Sequence, residues 1–199
     1  MLDANLVTAM HDQATAEWHG VALRPSDAQQ GVAPHFPALV LAHHRANYDL
    51  WHEEDDARSP DATDARLAEV KHAIDRHNQR RNDLVEQIDL CLMREAGAQN
   101  EASPLHSESP GLIIDRLSIL ALKRYHTAEE THRASASEAH RANNLERLRV
   151  LDQQRSDLAA CLDNLWAEVL RGERRFKLYR QMKMYNDPEL NPVLYGRRG

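Results

Sequence analysis

The chain has 199 residues, of which 42% are hydrophobic and 28% are charged, a balance that indicates a folded protein and excludes a disordered one. Its formal net charge of −6 argues against nonspecific nucleic-acid binding by the whole surface, and no specific nucleic-acid motif is present. No stretch approaches the roughly 18 apolar residues of a membrane span, so none is expected.

The first elements are a short helix and a loop. Glycine is limited to 7 residues, and Ala, Leu, Glu, Gln and Arg dominate, which favours helices over strands. A short helix is predicted over about 1–19, and the glycines and prolines of 20–37 predict a connecting loop. A second helix is predicted over about 38–58, where Ser59-Pro60 ends it.

Three longer elements complete the prediction. A third helix spans about 61–95, with apolar residues at heptad-like spacings of three and four. A fourth spans about 110–134, with Ser109 as its N-terminal cap and Pro110 in its first turn. A fifth spans about 136–171, and its apolar seam keeps the register of the third.

One sequence signature occurs twice, at a single fixed offset along the chain. The offset carries Trp51-His52 onto Tyr125-His126. The identical pairs are Gln79, Arg81, Asp83, Leu84 and Asp89 with Gln153, Arg155, Asp157, Leu158 and Asp163. This pattern predicts a duplicated helical hairpin, with repeat 1 over about 36–95 and repeat 2 over about 110–171.

Two packed hairpins predict an all-α four-helix bundle with extra N-terminal and C-terminal helical segments. We expect residues 1–199 to form a single helical domain with a basic C-terminal tail over 172–199. Within 171–183, six Lys or Arg stand against the single acid Glu173. This segment is either a last helix that packs on the bundle or a surface that meets an anionic small molecule, a nucleic acid or a protein partner.

Two arginines, Arg81 and Arg155, fall at equivalent positions that face the predicted core. A buried guanidinium costs several kcal/mol unless it is paired. Antiparallel packing brings both to the level of Asp115, which predicts an Arg81–Asp115–Arg155 cluster. That cluster is either a structural ion network or a pocket for a phosphate or carboxylate. In a third alternative, helix rotation lets both arginines reach solvent.

Four carboxylates are candidate metal ligands. Glu54 and Asp55 belong to an acidic run at the end of the second helix, which opposes the helix dipole. Glu86 and Asp89 share one face of the third helix. Together they could hold Mg²⁺. Glu53 and Asp56 are three residues apart, as Glu86 and Asp89 are, and two such pairs on facing helices hold Mg²⁺ in all-α nucleoside triphosphate pyrophosphohydrolases. Antiparallel packing separates the two pairs, however, and the plain alternative is a solvated helix end.

The 12 histidines form no recognisable metal motif. Glu129 and His132 make one Glu-x-x-His element, whereas di-iron bundles need two. His43, His44 and His126 have no carboxylate pattern around them. We therefore expect no histidine metal site, and no motif requires a cofactor.

The chain start and the cysteines predict a cytoplasmic protein. Residues 1–5 lack the basic and apolar stretches of a signal peptide. Cys91 and Cys161 lie in helical patterns among apolar residues, which favours buried free thiols over the alternative of a disulfide.

Several segments resemble a bacterial family of uncharacterised proteins, domain-of-unknown-function family 4254. They are LWHEEDDAR at 50–58, IDRHNQRRNDL at 74–84, SPGLIIDRLSIL at 109–120 and QMKMYNDP at 181–188, within a resemblance that covers about 38–195. The resemblance implies a bacterial protein whose relatives are associated with cell-envelope polysaccharide or lipopolysaccharide synthesis. It supplies no catalytic residues.

The first functional hypothesis is therefore an accessory or interaction protein of envelope glycan synthesis. The alternative is a metal-dependent enzyme acting on a phosphorylated substrate such as a nucleotide or nucleotide-sugar. In that enzyme the four carboxylates would bind the metal and the two arginines would stabilise phosphate charge. A third hypothesis is a structural homodimer. Nothing in the sequence decides whether the protein is an enzyme.

Overall fold

A computed structural model describes residues 2–20 and 35–180. Within these ranges the chain forms α-helices and no strand, which confirms the all-α prediction. The helices are α1 (Ala4–Gly20), α2 (Phe36–Asp56), α3 (Asp64–Ala96), α4 (Pro110–His132) and α5 (Glu138–Leu170). Most of the loop predicted over 20–37 lies outside the described residues.

Hydroxyl side chains cap the starts of the three later helices. Thr63, Ser109 and Ser137 each accept a hydrogen bond from the backbone N–H three residues further on. These bonds satisfy N–H groups that have no partner inside the helix. Ser109 is the cap that the sequence predicts. Gly97, at a φ of 71°, ends α3 in a conformation that glycine adopts without strain.

The helices pack as two hairpins, α2 with α3 and α4 with α5. Short connections make the helices of each hairpin antiparallel. The hairpins meet where α4 packs against α2 and α3, which agrees with the predicted bundle. Helix α1 lies against α4 and also contacts α2 and α5. It is therefore an integral fifth member of the bundle and contributes to its interior.

One hydrophobic core runs through the helices. Its almost fully buried members include Val7, Val40, Ile88, Ile114 and Leu162, one from each helix. Each such side chain contributes about 1.5–3 kcal/mol when it leaves water. This core holds the inner faces of the helices in register and so positions the polar side chains that lie among them.

The segment that follows α5 differs from the prediction. Residues 171–180 are not helical, although a last helix was expected over 171–183. The backbone of Arg175 donates to Pro104 and accepts from His106, and Phe176 is buried in the core. Pairing with the loop before α4 thus replaces the helical hydrogen bonds. The rest of the predicted tail lies outside the described residues.

Two further expectations concern the cysteines and the membrane. Cys91 and Cys161 are both free thiols, but Cys161 is exposed, so the expectation that both are buried was wrong. None of the helices in the two described ranges has the length and apolar character needed to cross a bilayer.

Candidate metal centre

The structure separates the two arginines that the sequence places together. Arg81 Nε lies 3.4 Å from Asp115 Oδ1. Arg155 Nη2 instead lies 2.7 Å from Asp12 Oδ2, and it also donates to the carbonyl of Thr8 at 2.7 Å. The predicted three-residue cluster is not formed, because α1 supplies a separate carboxylate to Arg155.

Asp115 is the acceptor at the centre of a buried polar group. It accepts hydrogen bonds from His43 Nε2 at 2.9 Å and from Asn47 Nδ2 at 3.0 Å. Burial by itself raises the pKa of Asp115, but the hydrogen bond and charge of His43, the charge of Arg81 and the bond from Asn47 outweigh it and leave the pKa lowered. The carboxylate therefore stays ionised and ties α4 to α2 and α3.

The first pair of candidate carboxylates lies at the exposed end of α2. Glu54 and Asp55 both pair with Arg58, at 3.1 and 3.6 Å. Glu86 lies about six turns into α3, roughly 33 Å along the helix axis from Asp64. Because α2 and α3 are antiparallel, the two candidate pairs lie far apart, and the structure does not bring the four carboxylates together as a Mg²⁺ site.

Asp89, in the second pair, is engaged with the start of α4. Its carboxylate accepts hydrogen bonds from Ser109 Oγ and, at 2.7 Å, from the backbone N–H of Gly111. Burial raises the pKa of Asp89 to about 6, although these two hydrogen bonds oppose the shift. The residue thus joins α3 to the N-terminus of α4.

Three histidines converge where α1, α2 and α4 meet. They are His19 in the last turn of α1, His52 in the C-terminal part of α2 and His126 in α4. One ring nitrogen from each lies within 4.8 Å of those of the other two. The ring centroids are 4.9 Å apart for His19 and His126 and 5.3 Å apart for His19 and His52. All three side chains are partly buried.

Backbone carbonyls determine the tautomer of two of these rings. His19 Nδ1 lies 2.7 Å from the carbonyl oxygen of Thr15, and His52 Nδ1 lies 2.8 Å from that of Tyr48. A carbonyl oxygen only accepts, so each Nδ1 carries the proton and donates it. In the neutral imidazole the other nitrogen, Nε2, then has a free lone pair.

A carboxylate determines the tautomer of the third ring, that of His126. His126 Nδ1 lies 3.0 Å from Glu129 Oε2, one helical turn away. A histidine held in this way by a carboxylate is the usual arrangement in metal centres, where the carboxylate orients the ring and makes its free nitrogen more basic.

Two of the three Nε2 atoms of the cluster have no hydrogen-bond partner in the part of the chain that the structure describes. They are those of His19 and His126, and both are buried. An unsatisfied buried polar atom costs about 1–3 kcal/mol, and a native protein that retains one commonly has a water or an ion beside it. A cation that accepts the lone pairs removes this cost.

The pKa of His19 agrees with a ligand role. Burial lowers the pKa, the hydrogen bond to Thr15 opposes that shift, and the charges of His126 and His52 lower it further. A metal binds the neutral imidazole, so a lowered pKa keeps His19 ready to bind at neutral pH.

Each histidine of the cluster also packs against an aromatic ring. The pairs, with their centroid distances, are Tyr125 with His19 (4.2 Å), Tyr48 with His52 (4.3 Å) and Trp51 with His126 (5.1 Å). These contacts fix the ring orientations and limit the access of water. A shell of this kind strengthens metal–ligand interactions.

The donor set determines which ion fits. Three neutral imidazoles suit Zn²⁺ and other first-row divalent ions, whereas Mg²⁺ prefers oxygen ligands. Catalytic zinc sites characteristically combine three protein ligands with one open position. These three histidines would therefore suit a different metal, through different ligands, from the Mg²⁺ and four carboxylates that the sequence suggests.

The sequence held part of the signal for this cluster. His52 and His126 occupy equivalent positions in the two repeats, and they are neighbours in the structure, with centroids 6.0 Å apart. His19 lies outside the repeated region, and nothing in its surroundings marks it as a ligand. Without it, the pair was not recognisable as a metal site.

Comparison with known proteins identifies a family but no activity. A family model described as a protein of unknown function (DUF4254) matches residues 37–178. The matched range includes His52 and His126, whereas His19 precedes it. No curated protein and no solved structure matches the chain.

Proposed function

The chain belongs to the DUF4254 family, which by itself assigns no function, and from the site geometry we propose that it is a metal-dependent hydrolytic enzyme. Its ion is a first-row divalent metal, Zn²⁺ by preference, bound by Nε2 of His19, His52 and His126. One observation carries the proposal: three imidazoles from three helices present ring nitrogens within 4.8 Å of one another, while each Nδ1 is held by an acceptor.

The roles of the side chains follow from their contacts. The three histidines bind the ion, and Glu129 orients His126. An ion held by these three histidines would keep one position for water or substrate, and there it would supply Lewis-acid chemistry and a nucleophilic water near neutral pH. The aromatic rings around the histidines reduce their contact with bulk water, which strengthens electrostatic interactions.

Metal dependence was the alternative functional hypothesis from the sequence, with Mg²⁺ and four carboxylates. Here histidines replace those carboxylates. The other functional hypotheses stay predictions: an accessory role, a link to envelope polysaccharide synthesis, and a homodimer. So do the bacterial origin and the cytoplasmic location.

We also propose that the two hairpins arose by duplication. Gln79 donates to Asp83 at 2.7 Å, and Gln153 donates to Asp157 at 2.7 Å, which is the same contact at equivalent positions of the two repeats. These matched contacts support a common origin of α3 and α5. Under this proposal, the histidine centre combines one ligand from each repeat with a third from α1.

The proposal is tested by calorimetric titration of Zn²⁺ and Co²⁺ into metal-free protein that carries no histidine tag. We expect one ion per chain, and we expect His52→Ala and His126→Ala to weaken binding by on the order of 100-fold. His132→Ala is the matched control, because His132 is an exposed histidine on α4, the same helix as His126. No binding by the wild type, or equal binding by the His126 variant, would overturn the metal centre.

Hydrolytic activity needs a separate measurement. The metal-loaded protein is assayed with nitrophenyl esters of carboxylic and phosphoric acids, with and without EDTA. Release of nitrophenol that requires the metal and is lost in His126→Ala supports the enzyme. If the ion binds tightly and neither ester class is hydrolysed, the centre is a binding site without hydrolytic function.

A further inference from the structure

A pocket of about 740 Å³ adjoins the histidine centre, between α4 and α5. Trp51 and His126 both line it, and their rings stack on each other with an interplanar angle of 11°. The volume lies within the roughly 300–1,000 Å³ of small-molecule sites. A molecule in this pocket would therefore contact a metal ligand of the proposed centre.

The acidic side chains of the pocket are neutralised within the protein. Glu130 lies 3.0 Å from Arg133 and 2.6 Å from His140, and Glu146 lies 2.9 Å from Arg149. Each of these carboxylates therefore has a basic partner within the protein, which reduces its repulsion of an anion.

Two basic side chains of the pocket have no acidic partner within the described ranges. Lys123 is exposed, and Arg147 makes only a 3.4 Å contact with the side chain of Asn144. They belong to α4 and α5, the two helices that form the walls. Lys123 precedes His126 by one helical turn, about 4.5 Å along the axis. The pocket thus presents unneutralised positive charge close to the histidine centre.

The pocket continues along the same two helices. A second cavity of about 680 Å³ also lies between α4 and α5, and it shares Lys123 and Gln154 with the first. Its lining includes the apolar side chains of Ile119, Leu120 and Leu158. Of its two acidic side chains, Glu108 pairs with Arg116 at 2.9 Å, and Asp157 accepts a hydrogen bond from Gln153. Lys123 therefore stands at the junction of two chambers, each large enough for an organic group.

We infer that this double pocket binds a phosphodiester. The phosphate lies at Lys123 and Arg147, and its two organic groups occupy the chambers on either side. Lysine and arginine are the usual phosphate-binding residues, and a cation between two chambers matches an anion that carries a substituent on each side. The inference rests on the proposed metal centre, because it names the substrate class of that centre.

The test uses the Zn²⁺-loaded protein and two probes, bis(p-nitrophenyl) phosphate and p-nitrophenyl phosphate. We expect calorimetry to show that the diester binds about tenfold more tightly than the monoester. In the double variant Lys123→Ala/Arg147→Ala we expect at least about a tenfold loss of diester affinity with unchanged zinc affinity. Arg80→Ala is the control, since Arg80 is an exposed arginine on α3.

The outcomes separate this inference from the metal centre itself. Zinc binding without diester binding, or equal diester binding by the double variant, overturns the phosphodiester site and leaves the metal centre intact. Preference for the monoester overturns the two-chamber arrangement. If the wild type fails to bind zinc, the metal centre is wrong, and diester binding by the metal-free protein then decides whether the pocket acts alone.

Discussion

Glu129 Oε2 lies 3.0 Å from Nδ1 of His126, one turn after it on the same helix. The Glu129 side chain is 54% exposed, so the pair contributes little to the stability of the fold. Its effect is on the ring: the carboxylate orients His126 and increases the basicity of the other ring nitrogen, Nε2. Removal of this contact should therefore change the metal affinity of the protein without changing its stability.

Glu129→Gln is therefore expected to weaken zinc binding by about 10–100-fold, because an amide holds and polarises the imidazole less strongly than a carboxylate. Calorimetric titration measures the affinity, and the melting temperature of the metal-free protein should stay unchanged. Glu54→Gln serves as the control, since Glu54 was a metal candidate in the sequence and pairs with Arg58 at the surface. Should Glu54→Gln give the larger loss, the acidic run at the end of α2 would be the metal site.

The buried surroundings of His44 predict how the stability of the protein depends on pH. Its Nε2 lies 2.8 Å from Thr15 Oγ1, and its Nδ1 lies 2.8 Å from Ser118 Oγ. Thr15 already donates its hydroxyl proton to the carbonyl of His11, so His44 Nε2 donates and Nδ1 accepts. A second ring proton would break the bond from Ser118. Burial, followed by the nearby charge of His43, lowers the pKa of His44 to about 3.

The free energy of unfolding should consequently fall as the pH drops below about 6.5. Unfolded His44 takes up a proton near that pH, whereas the folded protein resists it down to about 3. Stability is thus present above the unfolded pKa and is lost at about 1.4 kcal/mol per pH unit from this residue. Urea unfolding in EDTA at several pH values measures the slope. His44→Gln should make the slope shallower by that amount, and an unchanged slope would contradict the assignment.

Asp115 and Asp12 should differ in their effect on stability, although each pairs with one of two equivalent arginines. Asp115→Ala leaves His43 without its acceptor and Arg81 without its ion-pair partner. Because the Asp115 side chain is only 13% exposed, this should cost about 3–5 kcal/mol. Asp12→Ala should cost about 1 kcal/mol or less, because the Asp12 side chain is 44% exposed. Urea unfolding of both variants at pH 7 measures the difference. Similar losses would show that α1 is tied as firmly as α4.

Gly111 is required by the close approach of α4 to α3. A Cβ at this position would lie 2.8 Å from both Asp89 Oδ1 and the carbonyl oxygen of Val85. Gly111→Ala should therefore destabilise the protein by about 1–3 kcal/mol through overpacking. Gly20→Ala is the matched control, because a Cβ there meets nothing within 4 Å. If thermal unfolding shows no difference between the variants, the contact between α3 and α4 is looser than the structure indicates.

Much of the fold was predictable because its signals are local. Caps and helix breakers lie within a few residues of the boundaries that they set, so α3 was expected at about 61–95 and is Asp64–Ala96. The helix predicted after α5 was wrong because the structure of that segment depends on a contact with a distant part of the chain. Its apolar residues suggest a helix. In the structure, however, the backbone of this segment pairs with the loop before α4, and its residue Phe176 is buried in the core. That contact joins two parts of the chain with the whole of α4 and α5 between them, and no local pattern reports it.

The candidate site divides in the same way. The sequence by itself determined the helices, the family and the equivalence of His52 with His126, because these follow from local composition and from patterns along the chain. Only the tertiary structure decided that His19 completes the cluster and that Arg155 pairs with Asp12. Both depend on where α1 packs, and the hydrophobic effect that packs it is not directional. Contacts between helices distant in sequence determine which polar groups meet inside the bundle.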